Sequence, residues 1–582
     1  MIHELASTLP TFKSVRLRPG LNLLLATKSR GATDRQTRNG AGKTSFVEIL
    51  HFLLGGQAGR GHVLKHEALR GQEFSLQFDL AGERVRVARS TDERSPFVLE
   101  AENFAAWPIP PKLDKKTGRW TLGQEDWRVD LGARMFGLAP DKSAKPSFRM
   151  LLPYFARRDL DHGFEDFRRF AEKQAEGDQQ IALTFLLGLD TSIPIRLEET
   201  REREATLQRL KSEMTHGEFS GIVGKAADLR TQLAVLDEQV TQRAAELAGF
   251  HVVPKFQELE AEATKIAGEL SALSNETQSL GERAEHLRGA MTAERPPIFA
   301  DVEAIYAEAG LVFPGSVRRR FEEVERFHRS VVENRRAHLG AELVQTERRL
   351  AAIEVERARL GERLGELMQI LSSGKALEQY ALLQQEHARQ AARAEAVRQR
   401  LAAAETVELR SAELKLDRAS LYQRLVADHH EQHDRITAAI RAFEHLSRNL
   451  YEQAGSLTIE PTERGPRVDV TIQGKRSKGI TKMQIFCFDM MLMELCKARG
   501  IGPGFLVHDS HIFDGVDSRQ VAKALEVGAE RAERLGFQYL VLLNEDQLPR
   551  AIFRSGFEVD RYILDVRLTD ATEDGGLFGT RF

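Results

Sequence analysis

Cysteine is nearly absent: Cys487 and Cys496 are the only two among 582 residues, and both fall in one apolar stretch. That excludes a disulfide framework and any paired-cysteine metal site, and it fits a reducing compartment. No apolar run has the length of a bilayer-spanning helix, and Met1 to Thr11 lacks the charged start and apolar core of a secretion signal. A soluble cytoplasmic protein without membrane contact is the expectation. An excess of one charge is missing too. With 83 Lys and Arg against 86 Asp and Glu, the chain is not uniformly basic, so any nucleic-acid contact has to come from local patches. Aromatics reach only 7% while charged residues make up 29%. In a chain too long for one compact core, that balance points to a globular part plus an extended helical element.

What is abundant is helical. The central third is rich in Ala, Glu, Arg, Leu and Gln. Leu229, Leu233, Leu236, Val240 and Leu247 keep heptad spacing, and Leu259, Ile266, Leu270, Leu273, Leu280 and Leu287 resume it. Leu350, Ile353, Leu360, Leu364, Leu367 and Leu371 carry the same seam in the second half. Similar helical lengths on either side of a non-helical middle predict an antiparallel intramolecular coiled coil, on the order of 140 Å long if straight. Paired interruptions at Gly249 to Pro254 and at Ser372 to Lys375 predict an elbow, with a further break at His216 to Gly224. The tip, 295–336, mixes basic and aromatic residues such as Arg318-Arg319-Arg320-Phe321. It reads either as a small helical cap with solvated arginines or as a nucleic-acid contact. Without a cysteine pair it is no zinc hook.

The N-terminal part, 1–190, centres on Thr37-Arg38-Asn39-Gly40-Ala41-Gly42-Lys43-Thr44-Ser45, between an apolar strand, Leu21 to Ala26, and an amphipathic helix from Phe46. Backbone N–H groups of such a loop wrap phosphates, and the helix N-terminus faces them with its positive end. Lys43 is then placed for the β- and γ-phosphates of a nucleoside triphosphate and Thr44 for Mg²⁺, with Arg38, Asn39, Gly40, Ala41, Gly42 and Ser45 completing the cradle. Thr37 stands where such loops usually begin with glycine. Lys28, Arg30, Arg35 and Arg38 either assist an anion or are solvated. Glu73 to Leu80 and Arg84 to Arg89 alternate around Gly82, which predicts a hairpin in an antiparallel sheet, and Phe12 to Leu17 reads as another strand.

In the C-terminal part, 441–582, strand pattern returns at Leu457 to Glu460 and Val468 to Ile472. Arg476 to Thr481, with Ser477 and Gly479, opens a long apolar helix from Met483 to Ala498, another phosphate-friendly N-terminus. Gly504 to Asp509 is an apolar strand ending in a carboxylate, as needed to hold Mg²⁺ through water beside the loop. A last buried strand, Gln538 to Leu543, ends at Asn544. Asp509, Asp514 and Asp517 are clustered carboxylates.

Phe12 to Gly20, Asn39 to Thr44 and Phe52 to Gly55 resemble the N-terminal half-head of SMC, RecN and RecF type ATPases. Ser477 to Ile480 sits where those carry the ABC signature, and Phe505 to Asp509 resembles their Walker B strand. Lys478-Gly479-Ile480, Ile485 to Asp489 and His508 to Asp514 look like an uncharacterised bacterial SMC-like subfamily of multi-gene defence or mobile-element loci. The resemblance implies an α/β fold: a composite ABC-type ATPase head, with a mixed sheet, from 1–190 and 441–582. Between them lie an outgoing helix (191–294), the tip (295–336) and a returning helix (337–440), together a long antiparallel intramolecular coiled coil. It implies ATP and Mg²⁺, the metal on Thr44 and Asp509. It also implies a homodimer sandwiching ATP between Lys43 and Thr44 of one head and Ser477 and Gly479 of the other. The stretch Phe148 to Asp159 could carry the loop that couples metal site and arms, although Tyr154 and Phe155 equally fit ordinary packing. Double-stranded DNA clamping is implied, in DNA repair or in antiviral or anti-plasmid defence with effector or accessory proteins encoded nearby. A nucleotide-switched scaffold that binds an effector without DNA is the alternative. A structural coiled coil with degenerate heads is a third reading, opposed by intact Lys43, Thr44 and Asp509. Ser510 replaces the usual water-orienting glutamate, and Asn544 stands at the switch histidine. The catalytic set is therefore Asp509, Ser510, His511, Asp514 and Asn544, and hydrolysis is expected to be slow.

Overall fold

The computed structural model describes residues 1–27, 42–59, 61–92, 95–216, 225–250, 254–293, 315–371, 375–451, 455–471 and 478–580. They form two compact units, one from Met1–Arg201 with Leu416–Phe582 and one from Glu202–Lys415. Both chain ends thus build the first unit, which holds two major sheets.

Its N-terminal half runs β1 (Ile2–Ser7), β2 (Val15–Arg16), β3 (Gly20–Thr27), α1 (Lys43–Leu53), β4 (Glu73–Leu80), β5 (Glu83–Ser90), β6 (Phe97–Glu100), β7 (Lys112–Leu113), β8 (Trp120–Leu122), α2 (Gln124–Phe136), α3 (Phe148–Leu151), α4 (Glu176–Leu187) and the start of α5 (Ser192–His216). An antiparallel sheet takes the order β2-β1-β4-β5-β6-β8-β7. The hairpin of β4 and β5 turns at Ala81-Gly82, as its alternation predicts. The strand expected over Phe12 to Leu17 shrinks to two residues, because Phe12 instead packs edge-on against Phe74 and tilted against Phe578, with ring centroids 5.5 and 6.1 Å away. Strand β1 takes that place beside β4.

The second unit comprises α6 (Ala226–Ala248), α7 (Pro254–Ala293), α8 (Gly315–Leu371) and most of α9 (Lys375–Glu431). Helices α7 and α8 pair antiparallel. Glu262 meets Arg363, Glu276 meets Arg349 and Arg283 meets Glu342, so one partner's number falls as the other's rises. Exposed pairs of this kind are screened by solvent and add little to stability. The buried seam of Ile266, Leu360 and Leu367 therefore carries the association, as the heptads predict. Helices end at Ala248 and Leu371 and resume at Pro254 and Lys375. The elbow residues 251–253 and 372–374 and the tip residues 294–314 lie outside the described residues.

The chain then returns to the first unit through α10 (His433–Leu450), β9 (Ser456–Thr462), β10 (Gly465–Thr471), α11 (Lys478–Ala498), β11 (Phe505–His508), α12 (Ser518–Leu535), β12 (Gln538–Asn544) and β13 (Ile563–Thr569). The second sheet, β11-β12-β3-β13, is parallel throughout and draws strands from both chain ends. Strand β3 is apolar in most positions, with Asn22 the polar exception inside it, because it lies between β12 and β13, where no alternation is needed. No helix among the described residues is long and apolar enough to cross a membrane.

Candidate nucleotide site

In open parallel sheets ligands sit beyond the carboxyl ends of the strands, and here those ends gather the chemistry. Strand β3 leads into residues 28–41. Arg38, Asn39, Gly40 and Ala41 therefore lie outside the described residues, as does Ser477. Description resumes at Gly42, the N-cap of α1, with φ +84° and a position where an added Cβ would lie 2.8 Å from Cβ of Leu577. Glycine alone meets both demands. Lys43, Thr44 and Ser45 open the helix. Lys43 Nζ donates to Asn544 Oδ1 at 2.5 Å, and Thr44 Oγ1 donates to Asp509 Oδ2 at 2.9 Å. Asn544 ends β12 and Asp509 follows β11, so α1 reaches the ends of the next two strands.

Asp509 is 1% exposed. Its Oδ1 accepts from the Ser510 backbone N–H at 2.6 Å and from the Ser510 hydroxyl at 3.2 Å, which leaves Oδ2 turned to Thr44. Ser510 thus orients the carboxylate. A threonine hydroxyl beside one carboxylate is a hard-oxygen donor set of the kind Mg²⁺ takes when nucleotide phosphates and water complete its shell. The residues fit the ion that the sequence implies.

His511 Nδ1 lies 3.2 Å from Asp514 Oδ2 and 3.6 Å from Asp159 Oδ1, with its ring stacked over Phe164. The hydrogen bond to Asp514 raises the His511 pKa against the effect of burial, and Asp509 and Asp159 add to the rise. The same hydrogen bond holds the Asp514 carboxyl low. Asp159 arrives from the stretch Phe148 to Asp159, which lies along the free edge of β11: Val507 N donates to Phe155 O at 2.8 Å. Tyr154 and Phe155 themselves are fully buried packing residues. Asp517 does not join the group, because its side chain caps α12 by accepting from Arg519 N. Gly479 sits one residue into α11, where an added Cβ would lie 2.5 Å from the Gly515 carbonyl oxygen. The start of α11 and the turn after Asp514 are therefore in backbone contact.

Behind Asp509 lies a buried polar network that the sequence reading missed. Arg157 and Asp489 are both fully enclosed and form a bidentate pair, with Nε to Oδ2 and Nη2 to Oδ1 each 2.7 Å. The remaining Arg157 donors reach the carbonyls of Gly163, Phe167 and Arg169. Asp489 Oδ2 also lies 3.3 Å from His508 Nε2, and His508 Nδ1 lies 3.0 Å from the Tyr539 hydroxyl. Burial lowers the His508 pKa and raises that of Tyr539, so a neutral imidazole donating to Asp489 and accepting from the phenol satisfies every member. An aspartate inside the apolar run Ile485 to Met493 was the readable signal, since a lone charge there needs a partner. A second cluster ties α1 to the same edge segment: Glu48 Oε2 accepts from Arg158 at 3.0 Å and lies 2.9 Å from His62.

The site thus belongs to a unit assembled from both ends of one chain, around a parallel sheet with strands from each end. Residues 446–582 match the family described as "Uncharacterised protein conserved in bacteria (DUF2326)". Residues 282–408, which lie in the arm, match C-terminal domain 10 of the ABC-three component (ABC-3C) systems. "Uncharacterized protein YydD" of Bacillus subtilis (strain 168) is 21% identical over 561 residues, 91% of this chain and 90% of that protein. Among solved structures, the Smc head domain with a coiled coil and joint derived from Pyrococcus yayanosii is 14% identical with a TM-score of 0.37, across 99% of this chain and 96% of that one. The recombination mediator protein RecF of the RecFOR pathway is 10% identical with a TM-score of 0.28, across 97% of both chains.

Proposed function

We propose that the chain binds Mg²⁺-ATP at this edge, hydrolyses it slowly, and uses the nucleotide to bring two heads together around double-stranded DNA. The observation that carries the reading is the convergence of Lys43 with Asn544 and of Thr44 with Asp509 at adjacent strand ends. Arg38, Asn39, Gly40, Ala41, Gly42 and Ser45 complete the phosphate cradle. Ser477 and Gly479 serve the nucleotide of the partner head. Phosphate-backbone contacts make DNA binding salt-sensitive and sequence-independent. A role in defence or repair with further components is supported by the match of residues 282–408 to a domain of multi-component systems. That match also favours a second reading, in which the nucleotide switches a scaffold and the arm holds an effector protein. ATP turnover with and without closed duplex DNA at one low salt concentration, with Lys43→Ala as the blank, separates the two. Turnover that DNA raises and the substitution abolishes supports the clamp; turnover at the blank's level with DNA present leaves the scaffold.

The group that serves in place of a glutamate after Asp509 is His511, acting as a cation. The hydrogen bond to Asp514, with Asp509 and Asp159 near, raises its pKa from the usual imidazole value. A protonated imidazole donates to the transferring phosphoryl group, whereas a general base has to be neutral. Turnover is therefore expected to fall as pH rises through the raised His511 pKa, and His511→Gln to remove that limb. A rate that climbs over the same interval in the wild type alone makes His511 a base and overturns the assignment.

A further inference from the structure

We propose that the hairpin of β7 and β8 is a nucleic-acid contact that stacks an unpaired base on Trp120 and holds the flanking phosphates with Lys112, Lys115 and Lys116. The proposal rests on the DNA reading above and adds to the duplex clamp a second contact, at ends, loops or single strands, where a base face is free.

The hairpin closes the antiparallel sheet, with β7 as its outermost strand. Edges are usually protected from exposed apolar surface. Here Leu113 is 50% exposed and Trp120 41%, and the two stand opposite each other in register. The other two tryptophans, Trp107 and Trp127, are buried. The platform is fixed from behind, since the Trp120 ring packs on Phe104 at 5.4 Å and Phe104 on Trp107 at 5.2 Å.

The charge around it is net positive, three lysines against Asp114. Asp114 is used within the turn, where its Oδ1 accepts from Lys116 N at 3.0 Å and its Oδ2 from the Thr117 hydroxyl at 2.7 Å. Glu73 is taken by the Arg119 guanidinium through two bonds of 2.7 Å, which also anchors the hairpin base to β4. Lys112, Lys115 and Lys116 are exposed, and their ammonium groups enter no ion pair among the described residues. An exposed indole flanked by three exposed lysines matches the two faces of a nucleotide, an aromatic base and an anionic phosphate. Single-strand binding surfaces combine the same two elements. Bases inside an intact duplex are stacked on one another, so the ring selects DNA that offers an open base face.

The test uses the full chain and tryptophan emission, to which Trp120 contributes the only exposed indole of the three. Single-stranded oligothymidine is expected to quench emission saturably, and a covalently closed duplex circle to quench it little. Trp120→Phe should abolish the response and weaken oligothymidine binding about tenfold. The triple change Lys112→Gln, Lys115→Gln, Lys116→Gln should lower the salt slope of binding by about two, the value for three single-strand phosphates. Unchanged circular dichroism and Trp107/Trp127 emission confirm folding of the variants. If both variants bind DNA as the wild type does, the hairpin is not the contact, while the DNA reading stands. If polyglutamate quenches as strongly as oligothymidine, the occupant is an acidic protein and the proposal fails. If the wild type binds neither form of DNA at about 50 mM salt, the DNA reading itself fails and the hairpin falls with it.

Discussion

Asp489→Ala is expected to lower the stability of the head by about 3–5 kcal/mol, read as a fall in urea midpoint at unchanged slope. The reason is enclosure. Arg157 and Asp489 have no exposed side-chain surface, and all the Arg157 donors are used inside the protein. Without the carboxylate, two guanidinium N–H groups and the His508 ring lose their acceptor where water does not reach. The guanidinium cannot shed its proton to escape, because arginine stays charged in proteins. The pair also joins distant parts of the chain: Arg157 belongs to the segment along β11, and Asp489 to α11 of the C-terminal half. Breaking an exposed pair of the arm, such as Arg349 with Glu276, should by contrast leave the urea midpoint almost unmoved, because solvent screens it. Replacing both partners, Arg157→Met with Asp489→Leu, should destabilise less than either alanine change, since no charge is left stranded. If Asp489→Ala unfolds within 1 kcal/mol of the wild type, roughly the scale of a surface change, the network does not hold the two halves together.

The contrast between these pairs also explains what could be read from the sequence. The arm was legible because a heptad seam is a local pattern, and the pairing of α7 with α8 follows from it. The strands β3, β11 and β12 were legible because a parallel strand buried on both faces is a nearly continuous apolar run. Thr44 and Asp509 could be named from motif order, although 465 positions separate them. What stayed hidden depends on partners far away in sequence. Strand β1, Ile2–Ser7, has only a weak pattern of its own and is stabilised by β4. Strand β13 forms because β3 offers it an edge. Asp517 looked like part of a carboxylate cluster, and the start of α12 took it as a cap. His508 and Arg157 reveal their roles only when α11 brings Asp489 between them. The roles of Ser510 and His511 likewise depend on which oxygen of Asp509 faces Thr44.

That geometry leads to the other large effect. Asp509→Asn and Thr44→Ala are each expected to reduce ATP turnover by about 10²–10³-fold, the scale at which one electrostatic contact to a transition state is lost. When bound, Mg²⁺ offsets the charge that accumulates on the β- and γ-phosphates. The Thr44 hydroxyl and Asp509 Oδ2 lie 2.9 Å apart, so both are placed to ligate one ion. Asp509→Asn keeps the shape of the carboxylate and an acceptor for the Ser510 N–H, and should leave the urea midpoint close to that of the wild type. Groups that act through one ion do not contribute independently. The double variant should therefore lose little more than either single one, instead of the product of the two losses. The cycle is measured as turnover at saturating ATP over a Mg²⁺ titration, where each single change should also raise the Mg²⁺ concentration needed for half-activity. Multiplicative losses, or a Mg²⁺ dependence that neither change moves, would place the ion elsewhere and leave the Thr44 to Asp509 hydrogen bond as a fastening between α1 and the strand beside it.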